Sequence, residues 1–256
     1  MMKGEIIDEL RKVLQESNNI VFFGGAGVST ESGVPDFRSA DGLYKAQSEF
    51  GMSPETMISH TFFMRDTETF FKYYKSNLIY QDAQPNDAHK ALAKLEEMGK
   101  LKAVVTQNID GLHQAAGSKT VYELHGSVAR NYCMDCGAFY DLDYIMDPEN
   151  CGEGSAVPRC KKCGGIVKPD VVLYEEGLDD ATVMGAIRSI QEADTLIIGG
   201  TSLVVYPAAG MVNYFRGSNL VLINKQPTPQ DKNADIAIHL PIGEVLGGVV
   251  LDPEFK

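Results

Sequence analysis

The stretch IVFFGGAGVS, Ile20 to Ser29, is an unbroken apolar run that ends directly in glycines. Such a run fits a strand covered on both faces of a parallel sheet. The glycines let the backbone approach a pyrophosphate and turn its amides toward the oxygens. As a strict Gly-x-Gly-x-x-Gly the loop fails, because Gly25 and Gly27 are in place but Thr30 stands where the third glycine belongs. Nor does a second strand ending in an acid follow about 20 residues on, as the dehydrogenase pattern requires. Instead comes Glu31-Ser32-Gly33-Val34-Pro35-Asp36-Phe37-Arg38, a polar loop carrying an acid, an aromatic ring and a base. Hydride transfer is therefore disfavoured.

Outward from this strand, similar runs occur at 103–106, 121–124, 195–198, 219–223 and 235–239. The segments between them have helical periodicity. Pro85, Asn86 and Asp87 start a helix that Gly99 stops, and residues 179–193 form a second helix ahead of TLIIGG. At the N-terminus Ile6, Ile7, Leu10, Val13 and Leu14 recur at helical spacing. Strands alternating with helices imply an open α/β sheet whose ligands bind at the carboxyl ends of the strands. Two stretches break the rhythm. Residues 39–84 are rich in Phe, Tyr and Met at helical spacings, and residues 127–168 hold all five cysteines with little core-forming pattern. The second stretch needs a staple to stay ordered.

The chain has 256 residues, 44% of them hydrophobic and 23% charged, so it has the composition to bury a core. Its 35 acidic and 23 basic residues leave a net charge of -12, which disfavours nucleic acid and anionic membranes and favours a cationic partner. No apolar run reaches the roughly 18 residues of a membrane span, and the N-terminus does not read as a secretory leader. A cytoplasmic protein is expected.

Cys133-x-x-Cys136 and Cys160-x-x-Cys163 are each followed by a glycine, Gly137 and Gly164. Two such knuckles converge four thiolates on one tetrahedral zinc ion, a closed site that supports the fold and leaves no position for catalysis. Cys151 reads as a spare thiol.

GAGVSTESGVPDFRS (25–39), QNIDGLH (107–113), ELHGS (123–127), the paired cysteines, KPDVVLYEE (168–176), GTSLVVYPA (200–208) and INK (223–225) occur in one order. Together they closely resemble the sirtuins, the NAD-dependent protein deacylases, over nearly the whole chain. The resemblance implies a Rossmann-like large domain from residues 1–38, 85–126 and 169–256. It implies a small domain made of a helical module, 39–84, and a zinc-ribbon module, 127–168. It also implies that the acetyl-lysine oxygen attacks the nicotinamide ribose, nicotinamide leaves and the acetyl group ends on ADP-ribose.

By the same resemblance His125 is the general base, with Asn108 and Asp110 as its catalytic companions. An imidazole, with an unperturbed pKa of about 6.5, suits proton removal from a ribose hydroxyl. NAD would be held by Gly25, Ala26 and Gly27, by Asp36, Phe37 and Arg38, and by Gln107, Asn108, Ile109 and Asp110. Its adenosine half would meet Gly200, Thr201, Ser202, Asn224, Lys225 and Ile242. The acyl-lysine peptide would add as a strand along 171–177, with Val171, Val172, Tyr174 and Glu175 in contact. Glu175 departs from the family's usual glycine in that segment. Taken singly, His125 also reads as a structural histidine, and Asn108, Asp110, Ser202 and Asn224 as turn residues. His60, His89, His113 and His239 read as structural.

Acetyl-lysine proteins or peptides are the expected partners, acted on by a monomer. Where succinyl-removing sirtuins carry a Tyr and an Arg, Phe71 and Tyr74 align, so acetyl and longer apolar acyl groups are favoured over charged ones. The rival readings are a protein ADP-ribosyltransferase on the same fold and a zinc-ribbon module that binds acylated peptide or nucleic acid without turnover.

Overall fold

The computed structural model describes residues 3–36 and 50–256. Among the described residues the strands are β1 (Ile20–Gly24), β2 (Leu101–Thr106), β3 (Val121–Glu123), β4 (Gly126–Cys133), β5 (Phe139–Tyr140), β6 (Val167–Val171), β7 (Thr195–Gly199), β8 (Asn219–Ile223) and β9 (Ile236–Ile238). The six runs expected as strands form one sheet in the order β3-β2-β1-β7-β8-β9, every pair parallel. In this order the connections reverse direction between β1 and β7, which opens a crevice beyond the carboxyl ends of those two strands.

The sheet is covered on both faces, as unbroken apolar strands require. Successive side chains of β1 alternate between them. Phe22 packs with Leu10, Leu14, Leu92, Leu95 and Val249 from the helices Lys3–Glu16, Asp87–Glu97 and Ile242–Val250. Phe23 packs on the other face with Ala186 and Ile190 of the helix Asp180–Glu192. Full burial of each such large side chain contributes about 1.5–3 kcal/mol. The Asn86 side chain caps Asp87–Glu97 by accepting from the Ala88 amide at 2.9 Å, and Gly99 ends that segment at φ 75°. Asp179 caps Asp180–Glu192 through the Thr182 amide at 2.8 Å.

Beneath the sheet, His89 accepts from the Asn86 amide at 3.3 Å and its ring meets that of His113 edge-on at 4.7 Å. Both rings are buried, and His89 Nε2 and both His113 nitrogens lack a hydrogen-bond partner among the described residues. Burial pushes His89 down to about 4. Burial, reinforced by His89, pushes His113 down to about 3.

The second layer is where tertiary structure adds most. β5, β4 and β6 form a three-stranded antiparallel sheet. The preceding insertion contributes the short helices Pro54–Met57, His60–Arg65 and Thr67–Asn77, each started by a side-chain cap from Ser53, Ser59 or Asp66. Phe63, Phe70, Phe71 and Tyr74 of these helices share one core with Val128, Ile145, Val157, Val167 and Leu173. The ribbon thus borrows apolar side chains from the helical insertion.

Four cysteines complete it. The Sγ atoms of Cys133 and Cys163 lie 3.4 Å apart, those of Cys136 and Cys160 3.6 Å apart, and all four lie within 4.8 Å of one another. Disulfides would bring sulfurs to about 2.05 Å, whereas a ZnS₄ tetrahedron with Zn–S near 2.3 Å has an edge of about 3.8 Å. The thiolates therefore fit one zinc ion. Gly137 and Gly164 take positive φ directly after each pair, as the knuckle turn needs. Cys151 lies apart, with Lys75 Nζ 3.4 Å from its sulfur.

Purified protein is expected to carry one zinc per chain, and Cys136→Ser to lose the ion and about 10 °C or more of Tm. Unchanged metal content and melting in that variant would exclude the site. The two buried histidines set a second expectation. Their folded pKa values lie below the unfolded value, so the unfolded chain binds more protons and stability falls as pH drops from about 6.5 toward 4, by roughly 1.4 kcal/mol per histidine per unit. His113→Phe, compared with the parent by urea melts at pH 7 and 5, should gain relative stability at the lower pH; a pH-independent difference would refute this.

Candidate active site

At the carboxyl end of β1 the chain comes against the turn that follows β7. The Gly27 amide donates to the Gly200 carbonyl at 2.8 Å, and a Cβ on Gly27 would lie 2.8 Å from that same backbone. Gly25 is less tightly held, its Cβ meeting the Thr201 side chain at 3.0 Å. The next amides, Val28 and Ser29, close short turns on the carbonyls of Gly25 and Ala26. The expectation that the glycine amides aim at an anion is thus narrowed. The Gly27 amide is spent on close packing, and the amides of Gly25 and Ala26 are outside these described bonds.

Gln107 leaves β2 and ties three elements together. Its amide donates to Gly24 O at 3.0 Å, its Nε2 to Thr201 Oγ1 at 3.2 Å, and its carbonyl accepts from His125 Nδ1 at 2.9 Å. A carbonyl only accepts, so Nδ1 carries the hydrogen and the neutral ring's basic lone pair falls to Nε2. Ser29 is the polar residue that sequence reasoning passed over as loop chemistry. Fully buried, its hydroxyl donates to Asp110 Oδ2 at 2.6 Å and accepts from Asn108 Nδ2 at 3.1 Å. Burial raises the Asp110 carboxyl above its ordinary range, against the Ser29 hydroxyl and the Leu112 amide.

Across the cleft, the Val172 amide donates to the carbonyl of His125 at 3.0 Å. β6 ends at Val171, so 172–177 does not continue as a strand. Tyr174 pairs its amide with Ile58 O and its carbonyl with the His60 amide, both at 3.0 Å. Tyr174 thus spends both of its main-chain groups on the helical insertion, while no described backbone bond uses the Val172 carbonyl or the backbone of Glu175. Glu175 sits at φ 77°, a left-handed conformation costing a side-chain-bearing residue roughly 1 kcal/mol. Its carboxylate folds back to accept from the Thr61 amide at 2.8 Å, capping His60–Arg65. The neighbouring Glu176 accepts from the Leu173 amide, from Lys168 and from His60, joining three segments at one carboxylate.

These residues enclose a cleft of about 480 Å³. Of the expected site residues it brings together Gly25, Ala26, Asp36, Gln107, Asn108, Ile109, Asp110, His125, Val171, Val172, Tyr174, Glu175, Gly200, Thr201 and Ser202. Gly27 is not among the lining residues and packs against the Gly200 backbone. Asn224 and Lys225 follow β8 outside the lining, Asn224 held by its own Nδ2 bond to Gln226 O. Ile242 is buried in the core, while the next amide, Gly243, donates to Glu31 of the cofactor-type loop at 2.8 Å. Phe37 and Arg38 lie outside the described residues. The helical insertion contributes Ile58, Tyr73, Asn77, Leu78 and Tyr80 to the lining, which sequence reasoning missed. Phe71 and Tyr74, aligned with the acyl-selecting pair, are instead buried in the aromatic core. No Lys or Arg is among the described lining residues.

The Sir2 family model matches residues 25–207. The chain is 62% identical over 250 residues to the NAD-dependent protein deacetylase of Clostridium acetobutylicum, covering 98% of this chain and 100% of that one. It is 64% identical over 245 residues to the Clostridium perfringens protein of the same name, covering 95% and 98%. Among solved structures, a Sir2 protein bearing deacetylated p53 peptide and 3′-O-acetyl ADP-ribose superposes with a TM-score of 0.85 at 37% identity, covering 98% of this chain and 99% of that one. A Sir2 homologue in complex with NAD superposes at 0.81 with 36% identity, covering 95% and 92%. The matched span runs from the glycine loop through the Gln107–His125 contact and all four cysteines, and the chain belongs to the Sir2 family.

Proposed function

We propose that the protein is an NAD-dependent protein-lysine deacetylase acting on acetylated proteins or peptides. One observation carries this reading. The main chain of His125 is bonded to Val172 while its ring is bonded to Gln107, so one basic nitrogen is held between the switch-point crevice and the peptide-side segment. The relatives at 62% and 64% identity bear the same activity in their names.

NAD, when bound, supplies ADP-ribose as the acceptor of the acetyl group, with nicotinamide released. His125 Nε2 takes the proton of a ribose hydroxyl, and its Nδ1 bond to Gln107 keeps the ring in the tautomer this needs. Asn108 and Asp110, held by Ser29, orient the ribose and carboxamide groups, and Asp36 accepts from the carboxamide. Gly25, Ala26, Gly200, Thr201 and Ser202 hold the phosphate and ribose side, with Asn224, Lys225 and Ile242 toward the adenosine. Val171, Val172, Tyr174 and Glu175 receive the acyl-lysine peptide. Phe37 and Arg38 complete the cofactor loop. The four cysteines hold a structural zinc. In this assignment residues 1–38, 85–126 and 169–256 make the large domain and 39–84 with 127–168 the small one.

The net charge of -12 supports a basic peptide partner and no nucleic acid. No helix among the described residues is long and apolar enough to cross a membrane. A cytoplasmic monomer completes the proposal.

His125→Ala should reduce acetyl-peptide-dependent nicotinamide release by at least 10²-fold, followed by chromatography, with NAD binding retained; a residual rate above about a tenth of the parent's would remove His125 from this role. The cleft's described lining offers no cation to a succinyl carboxylate. Acetyl-lysine peptides should therefore be turned over about tenfold or more faster than succinyl-lysine ones. The opposite ranking would reject an apolar acyl pocket.

A further inference from the structure

β4 and β6 carry the chain between the two sheets, and the catalytic candidate lies where they cross. β3 ends at Glu123, the chain passes through His125, and β4 begins at Gly126. Gly126 pairs with Val171 and Ser127 with Asp170, and a Cβ on Gly126 would clash with the Asp170 carbonyl. The next paired residue of β4 is Asn131, opposite Pro169. Val128, Ala129 and Arg130 are therefore looped out as a bulge, closed by Asn131 Nδ2 on Val128 O at 3.2 Å. Bulges re-aim side chains, and this one does so twice. The Val128 amide turns to Ile109 O at 3.0 Å, in the loop that carries Asn108 and Asp110. Arg130 turns back over the crossing, with Nη1 donating to Glu123 Oε2 at 2.6 Å and Nε to Asp170 Oδ2 at 2.7 Å.

We infer that Arg130 is a positioning residue of the active site, a guanidinium clamp that fixes the strand leading into His125 against the strand leading into Val172. The planar fork of an arginine suits this task, since two of its N–H groups reach two carboxylates in fixed directions. Glu123 and Asp170 stand two residues before His125 and Val172, the two residues joined by the main-chain bond between base and peptide segment. A shift of either strand would displace the base relative to the acyl-lysine, and misplacement of about 1 Å costs up to 10²-fold in rate. The Glu123 side chain is 8% exposed and has Arg130 as its ion-pair partner, while the Asp170 side chain is 42% exposed and faces solvent as well. Gly25, Gly27 and Gly200 stand at the β1–β7 switch point, two strands in from β3, and none of them bonds Arg130, Glu123 or Asp170 among the described contacts.

The inference rests on the deacetylase reading, and its test separates the two. Arg130→Met leaves a buried carboxylate without its cation, so it is compared with Glu123→Gln/Arg130→Met, which removes both charges, and with Arg130→Lys. For each, kcat/KM for acetyl-peptide is measured beside the equilibrium Kd for NAD, zinc content and Tm. The double variant should fold with its zinc, bind NAD within about twofold of the parent, and lose roughly tenfold or more in kcat/KM for peptide, with Arg130→Lys between. Recovery of parental kcat/KM in the double variant would show that only the buried charge mattered and overturn the clamp. A parallel loss of NAD affinity would also overturn it. If the parent itself released no nicotinamide in response to acetyl-peptide, the deacetylase reading would fall, and the clamp's role with it.

Discussion

Everything in the cleft is referred to one contact, the backbone of Gly27 against the backbone of Gly200. The amide-to-carbonyl distance is 2.8 Å, and neither residue has room for a Cβ. The contact sits at the point where the sheet order reverses, so it draws the loop after β1 against the turn after β7. With that distance set, Gln107 can span from Gly24 to Thr201 and still offer its carbonyl to His125. Ser29 drops into the interior, where its hydroxyl organises Asn108 and Asp110. A side chain at Gly27 would push apart the two strand ends on which both networks rely.

The other wall of the cleft depends on cooperation between two insertions that could not stand alone. Helices as short as His60–Arg65 are not stable in isolation, and the cysteine-rich segment has too few apolar residues for a core of its own. Side-chain caps begin the helices, their aromatic rings fill the space behind the small sheet, and four thiolates suited to zinc hold the ribbon's two knuckles together. The segment 172–177 is caught between the layers. Ile58 and His60 bind Tyr174, Thr61 binds Glu175, and Lys168 and His60 bind Glu176. The carboxylate at Glu175 thereby offsets part of the strain of its left-handed backbone by capping a helix.

Much of this was legible in advance, for identifiable reasons. The six core strands announced themselves as continuous apolar runs because both faces of a parallel sheet are covered. Asn86 and Asp179 marked helix starts because capping chemistry is local. The cysteine pairs could be read from spacing alone because a tetrahedral ion dictates it. Ser29 carried no such signal, since its importance comes from burial against residues about 80 positions away. Tyr73 and Asn77 were hidden for a related reason. Aromatic spacing marks a helix but does not tell which rings reach a cleft; Tyr73 borders it from the same core that takes up Phe71 and Tyr74. Asn224 was placed from its position after a strand, a position that by itself fits a turn residue as well as a ligand-facing one.

The sequence by itself determined the parallel sheet, the glycine loop at its switch point, the four-thiolate centre and the histidine at the end of β3, because each is written in local pattern or in fixed spacing. Only the tertiary structure decided how the two insertions share a core, which face of Thr67–Asn77 meets the cleft, and how a bulge in β4 returns Arg130 to the crossing beside His125. Those outcomes rest on close packing and on charges paired across distant segments, and such interactions exist only once the chain has folded.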